Sequence, residues 1–211
     1  DLKLITLKNQ MNPHFIFNAL NSIKLYIINN DRKNATYYLN KFSKLIRKIL
    51  EASSQKETSL NNELETMDLY MNIENIRFSN EIDFQIIIKE SINLETIKVP
   101  PLVFQPFLEN ALWHGLSSKK KDKKIRLSVD KIDQNFIKII IADNGIGRVA
   151  AAKIKAEKSI NRKSVGIDLT KKRLSNFVKN YKNDFSIVYE DLVDDKQIAL
   201  GTRVILKIPL L

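Results

Sequence analysis

The sequence predicts an α+β fold, an N-terminal antiparallel helical hairpin followed by a two-layer α/β sandwich. Three observations carry that prediction. Over the first quarter of the chain, apolar residues recur at steps of three and four, the spacing of one helical face. From residue 84 onward, short runs rich in Ile, Val and Phe alternate with helical stretches and are mostly joined by tight turns. Between the two lies Ser53-Ser54-Gln55-Lys56-Glu57-Thr58-Ser59, polar throughout, with the composition of a linker. The expected division is therefore 1–55 and 56–211.

Residues 2 to about 29 form the first predicted helix, with Leu4, Leu7, Met11 and Phe15 in register and Leu20 and Ile23 continuing the pattern. Pro13 interrupts it, because proline lacks an N–H and crowds the carbonyl four residues back. Either the helix bends there, or Asn12 caps a new helix with Pro13 at its first position. Asn29-Asn30-Asp31 is a turn, and Asp31 or Asn34 caps a second helix that runs to about Ala52. Its expected apolar face is Leu39, Phe42, Leu45, Ile46, Ile49 and Leu50. Two helices cannot close a core alone, and a symmetric partner hairpin completes a four-helix bundle, so a homodimer is expected.

A helix is predicted over 60–78, with Glu63 and Glu65 near its positive N-terminal end. A strand follows over 84–88, then a break at Pro100-Pro101 and a helix over 102–116. Strands over 125–132 and 136–142 flank the turn Asp133-Gln134-Asn135. Residues 148–164 are polar, basic and weakly periodic, and a loop of that length inside a compact domain is functional or disordered. A helix over 165–181 and strands over 185–191 and 202–208 end the chain.

The 211 residues suffice to bury a sizeable core, and the absence of cysteine excludes a disulfide framework and thiolate metal sites. No apolar run reaches the ~18 residues of a membrane span, and no signal peptide opens the chain. It begins already in helical register and reads as a piece of something longer. A net charge of +11 favours a polyanionic partner, whether nucleic acid, nucleotide, anionic lipid or acidic protein. The basic runs, Lys119 to Lys124 and Lys153 to Lys163, lack the interleaved aromatics of a single-strand binding groove. They read as solvated loops, and direct nucleic-acid binding is not expected.

Four stretches carry chemistry. Gln105-Pro106-Phe107-Leu108-Glu109-Asn110-Ala111-Leu112-Trp113-His114-Gly115 sets an amide and a carboxylate on a helix, which suits Mg²⁺ held by few protein oxygens plus phosphate, or is an ordinary helix with polar residues. Asp143-x-Gly145-x-Gly147 ends a strand with an acceptor for an exocyclic amine and glycines that let a ligand approach, or is a plain turn. Ser164-Val165-Gly166 opens a helix whose N–H groups suit phosphate. Gly201-Thr202 starts the last strand.

In this order and spacing the four resemble the N, G1, G2 and G3 boxes of the Bergerat (GHKL) ATP-binding fold. The resemblance implies that MgATP is bound, with Asn110 as the Mg²⁺ ligand, Asp143 as the adenine reader and Gly145 and Gly147 as the hinge of a lid over 148–164. It places Gly166 near the phosphates and Thr202 near the adenine. The string Gln10-x-x-Pro13-His14-Phe15-Ile16-Phe17-Asn18-x-Leu20-Asn21 resembles the phosphoacceptor box of the LytS/YehU-type sensor histidine kinases. Leu45-Ile46-Arg47, Leu60-x-x-Glu63-Leu64, Tyr70-x-x-Ile73-Glu74-x-x-Arg77-Phe78 and Pro100-Pro101-Leu102-x-x-Gln105-Pro106 extend the match.

That resemblance implies autophosphorylation on His14, then transfer to an aspartate on the receiver domain of a response regulator. It also implies that the chain is the cytoplasmic portion of a membrane-anchored sensor. In these terms 1–55 is the dimerisation and phosphotransfer hairpin and 56–211 the catalytic domain. Several positions depart from the wider superfamily. Its hydrolysing members carry a water-activating glutamate where this chain has Pro106, which argues against the alternative of a GHKL ATPase or ATP-gated clamp. Trp113 stands where many histidine kinases have a lysine, so His114 or a lid lysine is expected to compensate. Ser164 replaces a glycine, and Phe15 replaces the acidic residue that often follows the acceptor. Gln10 and Asn18, on the helical face of His14, are the expected orienters, and Glu109 is the candidate base.

Overall fold

The computed structural model describes residues 13–89, 92–157 and 165–210. The chain divides into two compact units, Asp1–Glu81 with Lys98–Leu102, and Ile82–Ile97 with Val103–Leu211. This is a different cut from 55/56, since it groups the helix after the linker with the hairpin.

In the first unit, α1 (Pro13–Ile28) and α2 (Arg32–Ala52) form the hairpin. The part of the expected first helix before Pro13, and with it the question of a bend at Asn12-Pro13, lies outside the described residues. Asn30 turns the chain at φ +58°, a left-handed conformation that Asn tolerates. Asp31, the first of the two expected caps, accepts the N–H of Asn34 at 3.1 Å. Phe42, Leu45 and Ile49 are buried as expected, but Leu39 and Leu50 remain 46% and 41% exposed. The apolar stripe of α2 is wider than this chain covers.

The expected linker is only partly one. Its last two residues form β1 (Thr58–Ser59), paired antiparallel with β3 (Lys98–Val99). Ser59 also caps α3 (Leu60–Ile76), its hydroxyl accepting the N–H of Asn62 at 3.2 Å. Glu63 lies in the first turn as expected, yet it is fully buried. Its Oε2 accepts the N–H of Leu102 at 2.8 Å, in the buried setting where a carboxylate needs a donor.

The second unit holds a five-stranded sheet in the order β2-β4-β5-β7-β6. Strand β2 (Ile82–Ile88) runs parallel to β4 (Lys123–Lys131), and the other pairings, with β5 (Phe136–Asp143), β6 (Ser186–Val193) and β7 (Ala199–Pro209), are antiparallel. Alternation puts Ile125, Leu127 and Val129, Ile137, Ile139 and Ile141, and Val204, Leu206 and Ile208 among the buried residues. With the helices beside this sheet, the unit is the expected two-layer sandwich.

Two expectations are corrected here. The helix placed at 102–116 starts only at Gln105, because Leu102 sits at φ +57° and cannot continue a right-handed helix. It is α-helical over α4 (Gln105–Asn110) and π-helical over Ala111–Leu116, and that wider turn reaches β4, β5 and β7. The stretch 148–164 is not a loop throughout, since α5 (Gly147–Glu157) occupies its first part and 158–164 lie outside the described residues. Helix α6 (Val165–Phe177) ends in a 3₁₀ turn, Val178–Asn180.

Candidate functional site

In the first unit, Phe15, Ala19 and Ile23 recur every fourth residue and are buried, with Phe15 stacked on Tyr70 at 5.0 Å between centroids. That burial fixes the rotation of α1 and leaves His14 exposed. The Asn18 amide nitrogen, one turn on, lies 2.9 Å from Nδ1 of His14 and 3.2 Å from Nε2. One side-chain amide therefore orients the ring, and which ring nitrogen carries the proton follows from the way that amide faces. Gln10, the other expected orienter, lies outside the described residues.

In the second unit Gly145, Gly201 and Thr202 meet at Asp143. It is the last residue of β5, opposite Thr202 of β7, and is only 8% exposed. Its Oδ1 accepts the N–H of Gly145 at 2.9 Å. Burial pushes its carboxyl up to about 6, opposed by the backbone N–H groups of Gly145 and Thr202 and by the charge of Lys119.

Three of the chain's five glycines enclose this residue. A Cβ on Gly115, in the π-helical turn, would lie 2.7 Å from Oδ1 of Asp143, and one on Gly145 would lie 2.3 Å from the carbonyl oxygen of Gly115. Gly201 has φ +140°, and its Cβ would fall 1.9 Å from the carbonyl oxygen of Asp143. No other residue type fits these places without moving the carboxylate, its strand or the Gly115 backbone. The N–H of Ile146 donates to the Gly115 carbonyl at 3.1 Å and ties the π-helical turn to the Asp143 turn.

The other expected residues are placed on α4, the π-helical turn, α5 and α6. Gly147 opens α5 at φ +78°, whereas Gly145 is wedged against the Gly115 backbone. Glu109 and Asn110 are half-buried at the end of α4, and Gln105 donates to Oε1 of Glu109 at 2.8 Å. His114 and Trp113 are exposed. Gly166, in the first turn of α6, faces Pro106, whose Cβ would lie 3.4 Å from an added Cβ. Arg148, which the sequence did not single out, fastens the start of α5 to β6 through two 2.7 Å bonds to the Asp191 carboxylate. Gly115 stood inside a motif without a role. In a chain with so few glycines, one that ends a helical box marks a close backbone approach.

A family model described as histidine kinase matches residues 2–82. The sensor protein LytS of Streptococcus mutans is 37% identical over 144 residues, 67% of this chain and 23% of that protein. LytS of Enterococcus faecalis is 28% identical over 211 residues, all of this chain and 34% of that protein. The chain belongs to the LytS-type sensor histidine kinases. The sensor histidine kinase/phosphatase LytS of Staphylococcus aureus is 31% identical over 147 residues, 70% of this chain and 25% of that protein. The chain thus spans between about a quarter and a third of the length of these three relatives.

Among solved structures, the histidine kinase domain of a blue-light activated kinase from Erythrobacter litoralis matches with a TM-score of 0.51 at 13% identity, covering 94% of this chain and 93% of that one. The mycobacterial sensor histidine kinase MprB matches with a TM-score of 0.50 at 13% identity, covering 73% and 96%. At such identities the likeness speaks for the fold, which is that of the histidine kinase catalytic domains.

Proposed function

We propose that this LytS-type chain is an ATP-dependent protein-histidine kinase that phosphorylates His14 and passes the phosphoryl group to an aspartate of a response regulator. The observation that carries the reading is the carboxylate of Asp143, packed about by glycines so closely that a Cβ on any of them would clash, in a chain that also exposes an oriented histidine. Adenine donates its exocyclic amine to Asp143. Thr202 lines the same pocket, Gly147 hinges the lid and Gly166 faces the phosphates.

Bound Mg²⁺ supplies charge neutralisation, and the half-buried amide of Asn110 suits it, since this ion keeps several waters and takes few protein oxygens. An unprotonated ring nitrogen of His14 attacks the γ-phosphorus of ATP. An N–P bond forms, the bond from the γ-phosphorus to its bridging oxygen breaks, and ADP leaves. Asn18 holds the ring, Glu109 is the candidate acceptor for its proton, and His114 takes the place of the missing lysine beside the phosphates. Phosphoryl transfer rests on positioning and electrostatics, so a strong base is not required.

The functional division is 1–55 for dimerisation and phosphotransfer and 56–211 for catalysis. Exposed Phe17, Leu20, Leu25, Leu39 and Leu50 on the hairpin support a homodimer closed as a four-helix bundle. No helix among the described residues is long and apolar enough to cross a membrane, and a membrane anchor elsewhere in the parent is part of the proposal. The test is incubation with γ-labelled ATP and Mg²⁺. Acid-labile, alkali-stable label on the chain, absent in His14→Gln, is expected. Phosphate release without labelled protein would sink the reading in favour of an ATPase.

A further inference from the structure

Asn144 follows Asp143 directly, and both its backbone and its side chain are committed. Its N–H donates to the Lys124 carbonyl at 3.2 Å, and its Oδ1 accepts the Lys124 N–H at 2.8 Å. Its Nδ2 donates to the Asp122 carbonyl at 2.7 Å, and its own carbonyl accepts from Nζ of Lys119 at 2.6 Å. Lys119 leaves the end of the π-helical turn, where its N–H donates to the Leu116 carbonyl at 3.0 Å. The turn that delivers Gly115 to the carboxylate is therefore tied a second time to the peptide just behind that carboxylate. Lys119 opens the basic run that the sequence presents as a solvated loop, yet it is half-buried while Lys120 and Lys121 are exposed.

We propose that Lys119 is a positioning residue of the nucleotide site, its ammonium holding the Asn144 carbonyl so that the Asp143 carboxylate stays aimed and charged for the base. This rests on the assignment of Asp143 as base reader. The charge of Lys119 favours ionised Asp143 against burial. Lys123 is buried on the same face of β4 as Ile125, the strand partner of Asp143, two residues along. Other charged groups on the neighbouring elements pair elsewhere or are exposed. Lys124 on β4 pairs with Asp122, and Arg203 on β7 pairs with Glu190. Each is one residue out of register with the partners of Asp143, hence on the other face of the sheet. Arg148 on α5 is held by Asp191, and His114 on the π-helical turn is exposed.

The experiment is calorimetric binding of ADP and of ATP to the whole chain from pH 6 to 8.5, in the wild type, Lys119→Met, Lys119→Arg and Asp143→Ala. Lys119→Met is expected to weaken ADP and ATP equally, by about 5- to 10-fold at pH 7, and Lys119→Arg to restore most of the affinity. The ratio of wild-type to variant affinity cancels the titration of the nucleotide's own phosphates. That ratio is expected to grow as pH falls, because Asp143 without its cation takes up a proton at higher pH.

Unchanged affinity in Lys119→Met, or a loss that does not vary with pH, overturns the proposal. A loss larger for ATP than for ADP also overturns it, by making Lys119 a phosphate ligand. If Asp143→Ala binds ADP like the wild type, the base-reading assignment fails instead, whatever Lys119 does.

Discussion

The two groups that matter most here stand in opposite settings. His14 lies on the surface of α1, oriented by one side-chain amide, with Phe15 beside it anchoring the helix. Asp143 is buried at the end of a central strand, held by two backbone N–H groups and enclosed by three glycines from three separate segments. The contrast fits the roles proposed for the two groups. An acceptor must be reached by one protein domain and then by another, so its surroundings stay open. A base reader acts by shape and by one aimed acceptor, and a displacement of less than an ångström spoils it. Openness costs little stability, whereas the enclosed carboxylate sits in the fold under electrostatic strain.

Substitutions can break this contrast in graded steps. His14→Gln is expected to remove all phosphohistidine and leave ADP affinity unchanged, as measured by labelling beside calorimetry. A change in ADP binding would mean that the two settings are not independent.

Asp143→Asn is expected to weaken ADP by roughly 10²-fold, the cost of losing a charged hydrogen-bond partner in a buried site. The same variant tests the strain. The native carboxyl is pushed from 3.8 up to about 6, so its contribution to stability is fully present below about pH 4 and lost as pH rises through 6. Asn mimics the protonated form. It should therefore raise thermal stability above pH 6, by at most about 3 kcal/mol, and give no gain at pH 4. A variant that loses stability at pH 8 would refute the strain.

Gly115→Ala places a methyl 2.7 Å from Oδ1 of Asp143 and must move either the carboxylate or the π-helical turn. It is expected to weaken ADP by about 10-fold and destabilise the fold by about 1–3 kcal/mol, read from calorimetry and thermal melts. Asn18→Ala is expected to have the smallest effect, slowing autophosphorylation less than ~10-fold with no shift in melting temperature, since it removes one exposed side-chain hydrogen bond. Loss of all label in that variant would give Asn18 more than an orienting role.

How much of this was legible beforehand varied by element. The hairpin, the five strands of the larger sheet to within three residues at their ends, and the turn at Asp133 were visible because helical and strand periods are local. The start of α4 was misplaced because Leu102 at φ +57° is a tertiary outcome, stabilised by a buried carboxylate thirty-nine residues earlier in the chain. The stretch 148–164 looked like a loop because its apolar residues are sparse, yet its first part is helical and joined to β6 through Arg148 and Asp191. The linker lost its last two residues to β1 because strand pairing with 98–99 is set by a distant segment.

By itself the sequence determined the main helices and the five strands of the larger sheet, the histidine box and the four boxes that resemble those of a nucleotide-binding fold, because each is a matter of residue type and near spacing. Only the tertiary structure decided what surrounds Asp143. Gly115 and Lys119, Asp143, and Gly201 come from three different segments, and nothing in the spacing of those segments relates them. Strand register and the wider turn of a π-helix bring them together, and van der Waals radii then allow only glycine at three of the places around one carboxylate.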